Sequence, residues 1–295
     1  MIQWCYVYIL ITTVTIYLKC GTVSAMKKYA VIEKRLGETP LGAIELWRRS
    51  KGISENIPLA YAGRLDPMAT GKLLVLIGDE CKRQELYHHF DKEYEFEILF
   101  GFSSDTQDVL GMSTKAENAS LPTESEVRLS IEDLRGTHTF PYPLFSAKTV
   151  QGKPLHMWTL EGRLSEIEIP TREMRVYSSK FLGTEVVSTK ELHARILSKI
   201  NSFPEVTDGR KALGRDFRRV DIRAQWMSLL QDDTDATFVI AKARAIVASG
   251  TYIRTLAEHV GKSLVTDSLA FNIRRTKIGT YFPIFHTGFW SKTLR

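Results

Sequence analysis

Alternating polar and apolar residues are clearest in residues 92–101, KEYEFEILFG. Three glutamates occupy every second position, and Tyr94, Phe96 and Ile98 stand between and after them. Successive side chains of a β-strand point to opposite faces, so this pattern predicts a strand with one acidic and one apolar face. Residues 237–250, TFVIAKARAIVASG, are rich in β-branched residues and predict a second strand that ends in a turn.

Apolar residues three or four positions apart predict several helices. In the first, Leu41, Ile44 and Trp47 define an apolar face between a Thr-Pro start and a closing glycine. In the second, Thr123 and Glu126 have the spacing of a capping box. The predicted helical stretches are residues 39–52, 123–136, 189–200 and 251–261.

The order of these elements indicates the fold class. Strands and helices are mixed without the regular alternation of a doubly wound sheet, so we expect an α+β fold with a mixed, mostly antiparallel central sheet and flanking helices. Residues 26–295 are predicted to form a single domain. Within it, residues 187–235 look like a basic insertion made of a helix and a loop-like stretch.

Composition and charge refine this picture only slightly. The chain has 295 residues, of which 43% are hydrophobic and 25% charged, as is typical of a globular enzyme. Its net charge of +6 is concentrated in residues 210–223, with six basic and two acidic residues, and in residues 272–295, with five basic residues and no acid. Such clusters favour a polyanionic partner. Charge alone is equally consistent with solvated loops.

The cysteines and histidines indicate neither a disulfide framework nor a metal site. Cys5, Cys20 and Cys81 form no CxxC pair, and the seven histidines show no ligand spacing. The adjacent His88 and His89 would point to different sides of a helix. We therefore expect a reducing, cytoplasmic compartment, no metal and no cofactor.

The first 25 residues are apolar and carry no charge before Lys19. They lack the basic start of a signal peptide, and Met26 is followed directly by two lysines. We interpret Met26 as the natural start of the protein. A membrane anchor and an additional native strand remain the alternatives, and no membrane association is expected.

Asp66 is the first candidate for chemistry. It precedes Pro67 between Gly63 and Gly71, shortly before the apolar residues 73–77. Proline disfavours helical backbone in the residue before it, and glycine permits tight turns, so the carboxylate is expected on a rigid loop that leads into a buried strand. The alternative, which the short motif alone favours, is an Asp-Pro turn whose carboxylate caps its own backbone.

Arg254 and Tyr94 are two further candidates. Arg254 falls in the first turn of a predicted helix, where the helix dipole favours acids, so a carboxylate such as Asp66 is expected to compensate it. An exposed arginine is the alternative. Tyr94 is either a core residue with a locally satisfied hydroxyl or, if its face lines a cleft, a platform for a nucleobase.

Five stretches of the sequence stand out when they are taken together, namely AGRLDPMATGKLLVLIG, DKEYEFEILFG, FSAKTVQGKPL, GTYIRTLAEHVG and IRRTKIG. In their order and approximate spacing they resemble the TruB family of tRNA pseudouridine synthases. The resemblance covers residues 31–282, and five stretches in register are far more specific than any one of them. It implies a pseudouridine synthase fold with a central cleft. It also implies a reaction without cofactor or metal, in which the base of a tRNA T-loop uridine is detached, turned and rejoined through carbon.

The resemblance also implies roles for individual residues. Asp66 would be the catalytic aspartate and Arg254 its cationic partner, which keeps the carboxylate ionised against the effect of burial. Tyr94 would stack on the target base and assist proton removal late in the reaction. The implied substrate-binding residues are Tyr61, Gly63, Arg64, Lys148, Tyr252 and Ile273.

Three departures from the family pattern are visible. Tyr61 stands where the family usually has a histidine that contacts the RNA loop, and Glu33-Lys34-Arg35 replaces the usual Asp-Lys-Pro. Many relatives carry a C-terminal RNA-binding PUA domain, and we expect none here because few residues follow Phe282. We expect the basic insertion and tail to take its place. The arginines expected to contact phosphate are Arg215, Arg218 and Arg219.

The sequence therefore predicts a monomeric enzyme whose partner is the T-arm of tRNA. Two other functions stay open at this point. One is a synthase of the same superfamily that acts on another RNA uridine, and the other is a protein that binds or remodels tRNA without modifying it.

Overall fold

The computed structural model describes residues 28–116, 121–204, 216–231, 236–284 and 287–295. The apolar leader of residues 1–25, the predicted start at Met26 and Arg215 lie outside this part of the chain. The described strands are β1 Tyr29–Lys34, β2 Leu59–Ala62, β3 Thr70–Ile77, β4 Asp91–Phe100, β5 Phe102–Ser104, β6 Ser113–Lys115, β7 Gly136–Pro141, β8 Thr149–Val150, β9 Lys153–Pro154, β10 Thr171–Ser188, β11 Thr237–Val247, β12 Ser268–Ile284 and β13 Thr287–Thr293. The described helices are α1 Pro40–Lys51, α2 Glu85–His88, α3 Glu124–Asp133, α4 Leu155–Leu160, α5 Thr189–Asn201, α6 Arg219–Gln231 and α7 Ile253–Ser263.

One mixed sheet of nine strands dominates the described part of the chain. Its order is β1-β3-β12-β4-β11-β10-β7, with β2 on β3 and β13 on β12. Only the short contact between β3 and β12 is parallel, and the other pairs within this described sheet are antiparallel. The predicted α+β class with a mixed, mostly antiparallel sheet is therefore confirmed.

Strand β3 is buried on both faces, which explains its unbroken apolar run. Leu73 and Val75 belong to the main hydrophobic core, whereas Leu74 and Leu76 belong to a smaller cluster with Ile278. Because neighbouring side chains of a strand point to opposite sides, these two clusters lie on opposite faces of the sheet. The loop that carries Asp66 is thus attached to a strand fixed from both sides.

The predicted strand of residues 92–101 is β4, in the middle of the sheet between β11 and β12. Two of its three glutamates are paired with cations of the neighbouring strands. Glu93 contacts Lys277 at 3.1 Å, and Glu95 contacts Arg244 at 2.6 Å. These ion pairs let an acidic face lie within a central strand, and Tyr94 and Phe96 occupy the other face.

The helix caps follow the sequence signals. Thr39 caps α1, which ends at Gly52 in left-handed backbone, and Thr123 and Glu126 form the predicted capping box of α3. The apolar face predicted for α1 is partly wrong, because Leu41 is 60% exposed while Ala43 and Ile44 are buried. The side of the helix that faces the core carries Pro40, Ala43 and Ile44, whereas Leu41 points to solvent.

The region predicted as an insertion connects two neighbouring strands, β10 and β11. Val187 and Ser188 still belong to β10, so the excursion from the sheet begins at Thr189. Helix α5 was predicted, but α6 was not. Helix α6 begins at Arg219 inside the stretch interpreted as loop-like, and it buries Ile222, Trp226 and Leu230. The four-residue spacing of these apolar side chains is obscured in the sequence by the surrounding arginines.

Candidate active site

Asp66 lies on the loop between β2 and β3, where flanking residues hold the backbone. Leu65 and Met68 are almost completely buried on either side of it. The backbone N–H of Ala69 donates to the Asp66 carbonyl at 3.0 Å, while the side chain remains one-third exposed. The turn is thus closed by backbone atoms, and the carboxylate is left available for another partner.

Two buried cations clamp this loop at its two ends. The Lys34 ammonium is fully buried and donates to the carbonyls of Pro67 at 3.1 Å and Ala69 at 2.6 Å. Burial lowers the pKa of Lys34 to about 8 against the opposing effects of Glu38 and Asp66. Arg275 donates to the Gly63 carbonyl at 3.0 Å. Both ends of the segment around Asp66 are therefore anchored by charged donors.

Gly71 is required where the loop enters β3. A Cβ at this position would lie 2.3 Å from the carbonyl oxygen of Arg275, and the φ angle of Gly71 is +100°. The backbones of β3 and β12 therefore approach more closely than any side chain allows. This contact fixes the distance between the Asp66 loop and strand β12, which carries Ile273 and Arg275.

Arg254 contacts Asp66 directly. Its Nε atom donates to Asp66 Oδ2 at 2.8 Å, and the arginine is only 3% exposed. The Nη1 atom donates to the Thr106 carbonyl, and Nη2 donates to the Phe145 carbonyl at 3.3 Å. The predicted pairing is present, whereas the two alternatives, a capping carboxylate and an exposed arginine, do not describe this structure.

The backbone around Arg254 differs slightly from the prediction. Helix α7 begins at Ile253, so Tyr252 is the cap residue and Arg254 the second residue of the helix. Burial alone would lower the pKa of Arg254, but the carboxylates of Asp66 and Asp108 together raise it above its ordinary value. The positive charge is therefore stable at the helix start, where the dipole alone would disfavour it.

Asp108 is a second carboxylate at Arg254 that the sequence did not reveal. Its Oδ2 atom lies 3.8 Å from Arg254 Nε, and its Oδ1 atom accepts from Thr106 Oγ1 at 2.8 Å and from the Leu110 N–H at 2.9 Å. Burial raises the pKa of Asp108 to about 6, although Arg254 opposes the shift. The stretch SSDTQDVLG offered only a turn-like composition, and no periodic pattern distinguished Asp108 from its neighbours.

A cavity of about 680 Å³ opens over the Asp66–Arg254 pair. This volume is within the usual range for ligand sites. Eight of the nine predicted site residues line it, namely Tyr61, Gly63, Arg64, Asp66, Tyr94, Tyr252, Arg254 and Ile273. These residues come from β2, the β2–β3 loop, β4, β12 and the start of α7, so the folded sheet brings together residues that are far apart in sequence.

Aromatic rings form two walls of the cavity. Tyr94 is 8% exposed on β4, beside Arg275 on the neighbouring strand. The ring of Tyr252 meets that of Tyr142 edge to face at 6.0 Å. Burial raises the pKa of Tyr252, and the nearby charge of Asp66 adds to this effect. The Tyr252 hydroxyl therefore stays protonated near neutral pH.

Lys148 is the predicted site residue that does not line the cavity. It is exposed, and its Nζ atom lies 5.3 Å from the centre of the Tyr142 ring. Its carbonyl accepts from the Leu155 N–H at 2.8 Å within the segment that ends at α4. Lys148 therefore supports a loop beside the cavity, through a ring that in turn contacts Tyr252.

Arg218 and Arg219 also reach the cavity, from the segment between β10 and β11. Arg218 pairs with Asp105 at 2.5 Å, and Arg219 pairs with Asp216 at 2.6 Å. Both side chains are less than one-sixth exposed. They were expected to be free for phosphate, but acids of the chain itself engage them, so in this structure they form part of the cavity wall.

Neither a metal-ligand cluster nor a membrane-spanning helix is found among the described residues. In that part of the chain, no group of three His, Cys, Asp or Glu side chains could hold a metal ion. No helix among the described residues is long and apolar enough to cross a membrane. Cys81, the one cysteine within the described ranges, is a free thiol whose pKa is raised by burial.

The family model and the similar proteins of known function point to the same family. Residues 51–199 match the family model described as TruB family pseudouridylate synthase (N terminal domain). The tRNA pseudouridine synthase B of Caldicellulosiruptor saccharolyticus is 24% identical over 256 residues, which are 87% of this chain and 69% of that protein. The tRNA pseudouridine synthase 4 of Saccharomyces cerevisiae is 27% identical over 241 residues, 74% of this chain and 59% of that protein.

A shorter match names the same kind of enzyme. The tRNA pseudouridine synthase B of Lactobacillus acidophilus is 31% identical over 154 residues, 52% of this chain and 50% of that protein. The chain thus spans between half and about two thirds of the length of these relatives. Among solved structures, a chain of a Cbf5–Nop10–Gar1 complex matches 85% of this chain and 49% of its own length at 16% identity, with a TM-score of 0.49.

Proposed function

Because this chain belongs to the TruB family of pseudouridylate synthases, we propose that it is an isomerase that converts a tRNA uridine to pseudouridine. The uridine is the one in the T-loop that is conventionally numbered 55. The names of the curated relatives support tRNA as the substrate class. The observation that carries the proposal is the 2.8 Å contact between Asp66 and a fully enclosed Arg254 at the base of a nucleotide-sized cavity.

The reaction rearranges one nucleotide without adding or removing atoms overall. The bond between N1 of uracil and C1′ of ribose breaks, the base turns, and C5 becomes bonded to C1′. The proton on C5 then leaves, and N1 gains a proton. Asp66 acts at the glycosidic bond as an ionised carboxylate, and Arg254 stabilises that charge in a site from which the substrate excludes water.

The remaining cavity residues hold the detached base. A uridine within a folded loop must first leave its stack, which costs a few kcal/mol. Stacking on the Tyr94 ring offsets part of this cost, and Tyr252 and Ile273 limit the positions in which the base can turn. We also assign to Tyr94, which lines the same cavity, assistance in the late removal of the C5 proton.

The test is an assay in which purified protein is incubated with a T-loop tRNA transcript and pseudouridine is mapped by position. We expect product at the T-loop uridine and a rate loss of roughly 10³-fold or more in Asp66→Asn. Asp79→Asn is the matched control, because Asp79 is an exposed carboxylate paired with Lys82 and does not line the cavity.

Each other outcome points to a different function. Pseudouridine at another position would show that the protein is a synthase of the same superfamily that acts on a different RNA uridine. Tight tRNA binding without product would indicate a protein that binds or remodels tRNA. The cytoplasmic location, the monomeric state and the independence from metal remain predictions from the sequence.

A further inference from the structure

Three cations line one wall of the cavity without an acidic partner. Lys92 and Arg275 are 6% and 1% exposed, and Arg172 is half-buried. Among the described residues, no carboxylate lies within 4.0 Å of any of the three side-chain cations. The other buried arginines of the cavity differ, because Arg254 and Arg218 each contact an aspartate.

Neutral oxygens hold the three cations in place. Lys92 Nζ donates to the carbonyl of Phe90 at 2.5 Å and to Ser249 Oγ at 3.1 Å. Arg275 donates to the Lys72 and Gly63 carbonyls, at 2.6 and 3.0 Å. These contacts satisfy donors but leave the positive charges uncompensated.

Arg172 belongs to the same group. It donates to the hydroxyl of Tyr142 at 3.1 Å and to the carbonyl of Ser249 at 3.3 Å. Ser249 thus contacts Lys92 through its hydroxyl and Arg172 through its carbonyl. A Cβ at Gly250 would lie 1.9 Å from Arg172 Nη2, so the turn before α7 has to be free of a side chain there for the guanidinium to fit.

Gly63 leaves an open approach between the other two cations. A Cβ at this position would lie 3.5 Å from Lys92 Cε, 4.0 Å from Lys92 Nζ and 3.6 Å from Arg275 Nη1. Gly63 also has a φ angle of +79°. A ligand atom can therefore approach both cations next to the loop that carries Asp66.

Mutual repulsion within the group contributes to the pKa of Lys92. The pKa of Lys92 is lowered to about 7, first by burial and then by Arg275 and Arg172, while Asp91 opposes the shift. The Asp91 carboxylate already accepts from the Tyr281 N–H at 2.9 Å on β12. A bound anion would relieve the repulsion and restore the full charge of Lys92.

We propose that Lys92, Arg172 and Arg275 form a phosphate site that binds one backbone phosphate of the RNA next to the nucleotide at Asp66. The identity of the ligand as RNA rests on the function proposed above. A phosphodiester carries one negative charge on two free oxygens, which suits two guanidinium groups and an ammonium. An extruded nucleotide carries one such group on each side, so a phosphate contact beside the base pocket also sets how deeply the nucleotide enters.

The experiment compares T-stem-loop RNAs in which single phosphates around the target uridine are replaced by uncharged methylphosphonate. Affinity is measured for the wild-type protein, Arg172→Gln and a matched control, Arg175→Gln. Arg175 lies three residues further along β10, is exposed, contacts Tyr177 and does not line the cavity.

We expect that replacing one phosphate next to the target uridine by methylphosphonate weakens binding to the wild-type protein roughly tenfold. The same replacement should weaken binding to Arg172→Gln only slightly. The slope of the logarithm of the binding constant against the logarithm of the salt concentration should be smaller by about one in Arg172→Gln than in the wild type and in Arg175→Gln. Equal losses at every linkage, or identical behaviour of the two variants, would overturn the proposal.

A second variant keeps the test informative if Arg172→Gln is poorly folded. Gly63→Ala fills the approach between Lys92 and Arg275 and should remove the same methylphosphonate effect, with thermal unfolding as the check on its fold. Because binding is measured, failure of catalysis is a separate result. If no pseudouridine forms but one methylphosphonate still weakens binding, the phosphate site is supported and the proposed isomerase activity is rejected. If pseudouridine forms but no single methylphosphonate weakens binding, the isomerase activity is supported and the phosphate site is rejected.

Discussion

Arg254 Nε donates to Asp66 Oδ2 at 2.8 Å, although the two residues are 188 positions apart in the chain. The contact exists because the β2–β3 loop and the start of α7 meet over strands β4 and β12. Neither end can relax easily, since Lys34 and Arg275 hold the loop and two backbone carbonyls hold the guanidinium. This rigidity is the physical basis for the predictions that follow.

Replacing Arg254 by lysine tests whether the fork of donors matters beyond its charge. Lysine keeps a positive charge but has one ammonium, which cannot reach Asp66 and the carbonyls of Thr106 and Phe145 together. We expect a single-turnover rate of pseudouridine formation roughly 10²-fold lower, because the carboxylate loses its fixed position. Arg128→Lys is the control, since Arg128 is an exposed partner of Glu124 on α3.

Thermal unfolding separates a positional effect from a loss of structure. Removing one member of a buried ion pair costs about 3–5 kcal/mol of stability, and the lysine should cost less because it retains the charge. A folded Arg254→Lys protein with a near-normal rate would contradict the role of the guanidinium geometry.

Asp108 predicts an inflection in the pH dependence of the rate. Its pKa is raised to about 6, so below that pH it is protonated and Arg254 keeps only Asp66 as an ionised partner. The single-turnover rate should therefore decrease as the pH is lowered through about 6. In Asp108→Asn the rate should be low at all pH values and should lack this inflection. An unchanged inflection in the variant would assign it to another group.

The same carboxyl group predicts a change in stability with pH. Its folded pKa exceeds the ordinary value of 3.8, so the folded state binds more protons than the unfolded state between pH 3.8 and about 6. The stabilising contribution of the protonated group is complete below this range and is lost as the pH rises through it. The difference in unfolding free energy between wild type and Asp108→Asn, measured in urea at several pH values, should show this slope.

Much of this architecture is predictable from local signals. The strand at residues 92–101, the caps at Thr39 and Thr123 and the positions of Asp66 and Arg254 each depend on short-range chemistry that the sequence displays directly. Asp108 and the trio of Lys92, Arg172 and Arg275 were missed because their importance arises only when the β5–β6 segment, β4, β10 and β12 come together around one cavity. Helix α6 was missed because basic residues mask its apolar face.

The buried Lys34 leads us to predict that the folded protein becomes more stable as the pH is raised into the alkaline range. Burial lowers its pKa from 10.5 to about 8, so between these values the unfolded state binds more protons than the folded state. Folding stability should therefore rise with pH across this window and fall as the pH decreases through about 8, by up to about 3 kcal/mol. Lys34→Met should remove this part of the slope, as urea unfolding of both proteins from pH 7 to 10 would show.

The same variant should slow catalysis, because the carbonyls of Pro67 and Ala69 lose their donor and the Asp66 loop loses its anchor. Lys72→Met serves as the control, since Lys72 is a nearby, half-buried lysine on β3 that does not line the cavity. An identical pH slope in Lys34→Met and wild type would assign the effect to Lys92, whose pKa is also lowered.

Tyr61 predicts a contact with an RNA base at the rim of the cavity. Its ring lines the cavity and packs partly against the main core, and its carbonyl accepts from Gln84 Nε2 at 2.7 Å. A ring fixed in this way offers a face for stacking in place of the histidine usual in the family. Tyr61→Ala should weaken T-stem-loop binding by about 1–3 kcal/mol, whereas Tyr61→Phe should bind nearly as well as wild type.

An RNA series identifies the base that Tyr61 contacts. When each loop nucleotide is replaced in turn by an abasic one, a single replacement should weaken wild-type binding but leave Tyr61→Ala unaffected, because the stacking partner is already absent. If every abasic RNA weakened both proteins equally, Tyr61 would be a packing residue of β2 without a contact to the RNA. A loss in Tyr61→Phe as large as in Tyr61→Ala would instead indicate a hydrogen bond from the hydroxyl.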